Sequence, residues 1–254
     1  MLKGIDVSSW NGWPFNVATE AGYKKSDFVI AKATQGTNYV NPYCDRAIQR
    51  AISDGKLFGF YHYAEGKDAK AEAQYFFENC KGYIGKGIPA LDWESEQNPA
   101  FGSEQWCRAF VDEFHRLSGV WPIIYVQKSA ISQIANCAND CGLWVASWGV
   151  SSPGSVYPWT DFTIWQWTSN NGSLDENYAL LTKETWAKIA KGDSAEPVPA
   201  PTPTPTPTPS TVTLSEAVTK IAQEVINGKF GNGEERKNAI YNLIQKRVNE
   251  LLRA

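Results

Sequence analysis

Histidine is nearly absent from this chain of 254 residues, which contains only His62 and His115. A histidine-rich metal centre is therefore excluded. The five cysteines (Cys44, Cys80, Cys107, Cys137 and Cys141) do not replace it, being odd in number and without the paired spacing of zinc ligands. Structural thiols in a reducing cytoplasm are expected, with no metal and no cofactor. No stretch approaches the ~20 consecutive apolar residues that span a bilayer. Met1-Leu2-Lys3-Gly4 runs straight into a strand pattern with no secretory leader, so neither export by that route nor membrane insertion is expected. A strong charge of one sign is missing too. A net charge of −3 argues against nucleic acid as a partner. That charge is uneven: residues 211–254 carry 7 Lys and Arg against 5 Asp and Glu, leaving a net of −5 for residues 1–210.

What the chain has in quantity is tryptophan. All 11 fall between Trp10 and Trp186, so they belong to one part of the chain. Large aromatics fill cores, and they also serve as platforms for sugar rings. Residues 197–209, alternating Thr and Pro after Pro-Val-Pro-Ala-Pro, hold half of the 14 prolines. Such a segment is extended and semi-rigid, roughly 40 Å long at about 3 Å per residue. The expected organisation is a domain over 1–192, a Pro/Thr-rich linker over 193–210 and a small helical domain over 211–254.

Within the first domain, apolar runs begin at Leu2, Phe28, Leu57, Gly87 and Trp121. They recur about every 30 residues, with helical patterns over 45–53, 69–79 and 103–117. This is the rhythm of βα units around a parallel sheet. Two later runs, at Leu143 and Phe162, follow at only about 20 residues, too close for full helices, and an eighth short strand is expected around 177–180. The fold class expected is α/β: a TIM-like barrel of five βα units and three closing strands, (β/α)5(β)3, followed by a small all-α domain. Active sites in such barrels gather at strand C-termini.

One strand ends in chemistry. Gly87-Ile88-Pro89-Ala90-Leu91-Asp92-Trp93-Glu94 is an apolar run closed by two carboxylates. Strand alternation points Asp92 and Glu94 the same way, roughly 6–7 Å apart, and Trp93 the other. Two carboxyls that close push their pKa values apart, which creates an acid and a base. That is the equipment for cleaving a glycosidic bond. The plain alternative is a strand end carrying two solvated acids. Asp6 also falls at a strand end, which favours the chemical reading.

The tail is read as helical. Thr213-Leu214-Ser215-Glu216 fits a capping box, and apolar stripes run through Leu214, Val218, Ile221, Val225 and Ile226, then through Ile240, Leu243, Ile244, Val248, Leu251 and Leu252.

In sequence, residues 1–190 resemble the glycoside hydrolase family 25 lysozymes, the N-acetylmuramidases of phage endolysins and autolysins. The resemblance lies in Gly4-Ile5-Asp6-Val7-Ser8, the run from Phe28 to Gly36, Gly59-Phe60-Tyr61-His62-Tyr63, Leu91-Asp92-Trp93-Glu94, Pro122-Ile123-Ile124-Tyr125, Leu143-Trp144-Val145-Ala146, Ile164-Trp165-Gln166-Trp167 and Leu174-Asp175-Glu176-Asn177. It implies cleavage of the β-1,4 bond after N-acetylmuramic acid in bacterial peptidoglycan. It further implies Glu94 as general acid/base, Asp92 as the group orienting the substrate acetamido oxygen, and Asp6 and Asp175 as supporting acids. Tyr61, Tyr63, Tyr125, Trp148 and Gln166 resemble cleft residues of that family, with packing as the alternative for each. His62, alternating away from Tyr61 and Tyr63, is expected to be a buried, hydrogen-bonded histidine. Lys32 is expected to be a buried partner of the acids.

The tail resembles a short cell-wall-binding repeat of the CW_7 type, through Ile221 to Lys237 and Ile244-Gln245-Lys246-Arg247-Val248-Asn249, but is shortened between Ile240 and Ile244. Gly231, Asn232, Gly233 and Arg236 are the wall-binding candidates. The alternative is a helical hairpin that forms a homo-oligomer. Together these resemblances imply an endolysin made in a host cytoplasm and acting on the wall after release. Two other readings compete: a barrel that binds wall without catalysis, and a related hydrolase of another amino-sugar polymer such as chitin. The presence of all four acids argues against the first. The absence of the chitinase Asp-x-x-Asp-x-Asp-x-Glu strand argues against the second. Stereochemical outcome stays open, since same-strand spacing does not decide it.

Overall fold

The computed structural model describes residues 1–192. Every expectation for the linker and the tail, including Gly231, Asn232, Gly233 and Arg236, lies outside the described residues.

Among the described residues nine strands and five α-helices follow one another: β1 (Leu2–Val7), α1 (Val17–Lys25), β2 (Phe28–Gln35), β3 (Tyr39–Val40), α2 (Cys44–Ser53), β4 (Leu57–Tyr63), α3 (Ala69–Cys80), β5 (Ile88–Trp93), α4 (Glu104–Ser118), β6 (Ile123–Gln127), β7 (Leu143–Ala146), β8 (Ile164–Thr168), β9 (Asp175–Ala179) and α5 (Lys183–Lys191). Helix starts are fixed by local chemistry. Asn16, Asp68 and Ser103 each cap a helix by accepting from backbone N–H groups of its first turn, and Gly119 ends α4 in the left-handed conformation.

The strands close in the order β1-β9-β8-β7-β6-β5-β4-β2, with β1 also paired to β2. The result is an eight-stranded barrel, to which β3 adds a two-residue antiparallel ribbon on β2. Pairing is parallel from β1 through β2, β4, β5, β6 and β7 to β8. β9 is antiparallel to both β8 and β1. Residues 169–174 are too few for a crossover, which needs a dozen or more residues, so the chain turns back on itself. The start of β9 therefore lies at the end of the barrel where the other strands finish. The fifth connection, after β6, is a 3-10 run over Lys128–Cys137 rather than an α-helix. Five connected units and three closing strands result.

Alternation along the strands divides the core in two. Inward residues such as Phe28, Ile30, Ile88, Ala90, Ile123, Ile164 and Ala179 fill the barrel. Their neighbours Val29, Ala31, Leu91, Ile124, Val126 and Val145 face the helices. Gly4 is required by this packing, because a Cβ there would occupy the volume of the Phe28 ring. Helix α5 closes the lower end: Trp186 is 1% exposed, packs on Phe28 at 4.8 Å between ring centroids, and donates from Nε1 to the Phe58 carbonyl at 3.2 Å.

The five cysteines are free and buried. Among the described residues, no group of three or more His, Cys, Asp or Glu could hold a metal ion. No helix among them is long and apolar enough to cross a membrane.

Candidate active site

At the upper end of the barrel the inward positions change from apolar to polar. The last inward residues are Asp6 on β1, Lys32 on β2, Tyr61 and Tyr63 on β4, Asp92 on β5 and Tyr125 on β6, followed by Gln166 on β8 and Asp175 and Asn177 on β9. Register brings the acids onto neighbouring positions: Asp6 is paired with Asp175, and Asp92 with Tyr63 on one side and Tyr125 on the other. Glu94, one residue beyond β5, faces the same way as Asp92. Trp93 turns outward, fully buried beside Trp106 and Phe101.

Asp6, Lys32, Tyr61, Tyr63, Asp92, Glu94, Tyr125, Gln166 and Asp175 line one cleft of about 490 Å³. All nine catalytic and cleft candidates drawn from the first domain meet there: Asp6, Tyr61, Tyr63, Asp92, Glu94, Tyr125, Trp148, Gln166 and Asp175. A second cavity, of about 550 Å³, opens at the opposite end by Trp121, Gly142 and Ile189 and contains none of the four acids. His62 does not reach the cleft. It is fully buried on the outward face of β4, hydrogen-bonded to Thr34 Oγ1 at 2.8 Å and to Glu72 Oε2 at 3.0 Å.

A hydrogen-bond network fixes the cleft floor. Asp6 Oδ1 accepts from Asn177 Nδ2 at 2.7 Å and from Gln166 Nε2 at 3.0 Å. Gln166 Oε1 accepts from the Tyr125 hydroxyl at 2.9 Å and from Trp148 Nε1 at 3.0 Å. Asn177 Oδ1 accepts from Trp144 Nε1 at 2.8 Å. Both amides are thereby oriented, with oxygen toward the indoles and nitrogen toward Asp6. Asp92 is different. Its Oδ1 is buried and has no hydrogen-bond partner. An orphaned buried acceptor costs about 1–3 kcal/mol, and such groups in native structures call for an explanation, often a functional one.

Burial dominates the electrostatics, and for all four acids it acts in one direction. Asp6 is pushed up to about 6 by desolvation, against the hydrogen bonds from Asn177 and Gln166. Asp175 is pushed up to about 8, by burial first and then by Asp6 and Glu94. Asp92 is held well above the ordinary carboxylate range by burial and by Glu94, with Lys32 pulling the other way. Glu94 is raised by burial and by Asp6, with the Tyr125 hydroxyl opposing. Lys32 is lowered by its own desolvation, which Asp92, Glu94 and Glu65 oppose. Its Nζ lies 4.4 Å from the centre of the Tyr63 ring and donates to Gln35 Oε1 at 2.6 Å. Packed this closely, the acids exchange protons as a set rather than titrating one by one. The site can therefore hold a protonated and an ionised carboxyl side by side near neutral pH.

Several residues in and behind the cleft escaped the sequence reading. Asn177 and Trp144 orient Asp6 from behind. Trp144 sits inside an apolar run that reads as core, and only its indole nitrogen has a polar task. Trp10 lies at the rim, after β1, in a segment that reads as a turn.

Comparison with known proteins finds matches over both parts of the chain. Residues 5–176 match the glycosyl hydrolases family 25, and residues 219–252 match the CW_7 repeat. An N,O-diacetylmuramidase from Chalaropsis sp. is 34% identical over 212 residues, covering 71% of this chain and 99% of the relative. The lysozyme of Streptococcus phage Cp-7 is 26% identical, with 97% of this chain and 69% of the relative covered. Among solved structures, a muramidase from Acremonium alcalophilum superposes with a TM-score of 0.64 at 28% identity, over 76% of this chain and 100% of that one. With its match spanning the barrel from the start of β1's acid-bearing half to the start of β9, the chain belongs to the glycosyl hydrolases of family 25.

Proposed function

We propose that this glycosyl hydrolase cleaves the β-1,4 bond between N-acetylmuramic acid and N-acetylglucosamine in bacterial peptidoglycan. Glu94 serves as general acid and then general base, and Asp92 serves as partner of the substrate's own 2-acetamido group. The observation that carries this reading is the buried, unpartnered Oδ1 of Asp92 beside a second carboxyl of raised pKa. An acetamido N–H is a donor of the kind that oxygen lacks.

In the free site, burial and Glu94 both favour the protonated form of Asp92. A hydrogen bond from the acetamido N–H favours its carboxylate instead, which leaves the proton of the pair on Glu94. Glu94 then protonates the glycosidic oxygen as the C1–O bond breaks, while the acetamido oxygen attacks C1. The N–H, made more acidic by that attack, is stabilised by Asp92. Water next gives a proton to the Glu94 carboxylate and adds at C1, breaking the bond between C1 and the acetamido oxygen, with net retention. Asp6 helps to keep Glu94 protonated, and Asp175, which holds its own proton up to about pH 8, lines the site beside Asp6. Tyr61, Tyr63, Tyr125, Trp148 and Gln166 supply the cleft walls against which the sugars lie.

For the tail, the reading is wall binding through Gly231, Asn232, Gly233 and Arg236. The CW_7 match over 219–252 and the similarity to a phage lysozyme support it. The same similarity supports an endolysin that is made in a host cytoplasm and reaches the wall on release.

The test is digestion of purified peptidoglycan, with mass spectrometry of borohydride-reduced products. Muramic acid at the new reducing ends is expected. In Glu94→Gln the rate falls by about 10²–10⁴-fold, the contribution of a positioned acid/base. New N-acetylglucosamine ends would overturn the bond assignment, and proton NMR of the first-formed anomer tests retention.

A further inference from the structure

We propose that Trp10 is a stacking platform for a pyranose ring of the bound glycan, outside the two sugars that flank the scissile bond. The proposal rests on the glycan-hydrolase reading above. Trp10 is 93% exposed, the highest value among the large hydrophobic side chains of the described residues. An indole left in water forgoes the stabilisation that burial would bring. Its backbone, in contrast, is fixed from several sides. Ser8 Oγ accepts from Trp10 N at 3.3 Å, and Ser8 N donates to Asn11 Oδ1 at 2.7 Å. Asn11 Nδ2 in turn donates to Thr19 Oγ1 on α1 at 3.1 Å, and the Tyr39 hydroxyl donates to Ser9 Oγ at 3.1 Å. A rigid turn thus presents a solvated aromatic.

Position selects the occupant. Trp10 lines the same cleft as Asp6 and Glu94, so whatever polymer enters the cleft passes it. It stands at the end of β1, three strands round the barrel from β5, which carries Asp92. The ring it meets is therefore not the one held between Asp92 and Glu94. The C–H face of an uncharged pyranose suits the negative face of an indole. Only two side-chain torsions need to be frozen to make that contact.

The experiment is steady-state hydrolysis of a soluble, peptide-free glycan strand by the full-length wild type, Trp10→Ala and Trp10→Phe, with thermal melting of each. The platform predicts a KM about ten-fold higher for Trp10→Ala, kcat and Tm unchanged, and recovery of most of the KM in Trp10→Phe. An equal KM for wild type and Trp10→Ala overturns the platform and leaves the hydrolase reading standing. A fall in kcat or Tm with KM unchanged makes Trp10 a structural residue and also overturns it. A folded wild type that cleaves no glycan overturns both readings.

Discussion

At the scale of single residues, the cleft keeps its acids in a state that folding alone would not favour. Asp175 rises from an ordinary value of 3.8 to about 8, and burial is the main cause. Between those pH values the folded protein holds a proton that the unfolded chain has released, so this group's contribution to stability falls as pH rises through the window. Asp6, rising from 3.8 to about 6, adds the same sign over the lower part of it. Asp175→Asn removes the larger effect. Its Tm is expected to equal that of wild type near pH 4 and to exceed it by about 4 °C at pH 8, measured by calorimetry across that range. The orphaned Asp92 Oδ1 belongs to the same pattern, a local cost retained where the proposed reaction uses it.

At the scale of elements, two pieces determine what the barrel can do. β9 runs against its neighbours, which sets Asp175 beside Asp6 and turns Asn177 toward the Asp6 carboxylate. The alternating pattern places an eighth strand near 177–180, and the observed strand, Asp175–Ala179, starts earlier because the turn before it is tight. Helix α5, which has no counterpart in the sequence reading, seals the other end with Trp186. Truncating that indole in Trp186→Ala leaves a cavity against Phe28 and an unpaired Phe58 carbonyl. A loss of about 3–5 kcal/mol is expected, read from the urea midpoint, with kcat at 25 °C retained because the cleft lies at the far end.

At the scale of the whole molecule, the proposal joins a cleft that cuts glycan to a tail that holds wall. Charge reversal at Arg236 in the full-length protein separates the two readings of that tail. Under wall binding, Arg236→Glu sediments with purified walls several-fold less than wild type while both remain the same size in solution. Under oligomerisation, light scattering instead finds wild type at a multiple of the chain mass and the variant shifted.

Local pattern was enough to read most of the barrel and the direction of its chemical end. Strand alternation and helix periodicity are properties of neighbours in sequence, so the strands of the five units, helices α2, α3 and α4, the shared face of Asp92 and Glu94 and the outward turn of Trp93 and His62 were all legible. Helix α1 was not, because only Thr19 and Tyr23 are buried along it and no apolar stripe marks it. What tertiary structure alone decided is the set of partners that ring closure brings together. Asp6 meets Gln166 and Asn177 across 160 and 171 residues of chain, and no local pattern encodes that meeting. The same closure buries the acids, and burial rather than sequence spacing is what raises their pKa values. The sequence by itself determined which groups point into the barrel; the closed barrel decided which of them touch, which stay unpaired and which keep their protons.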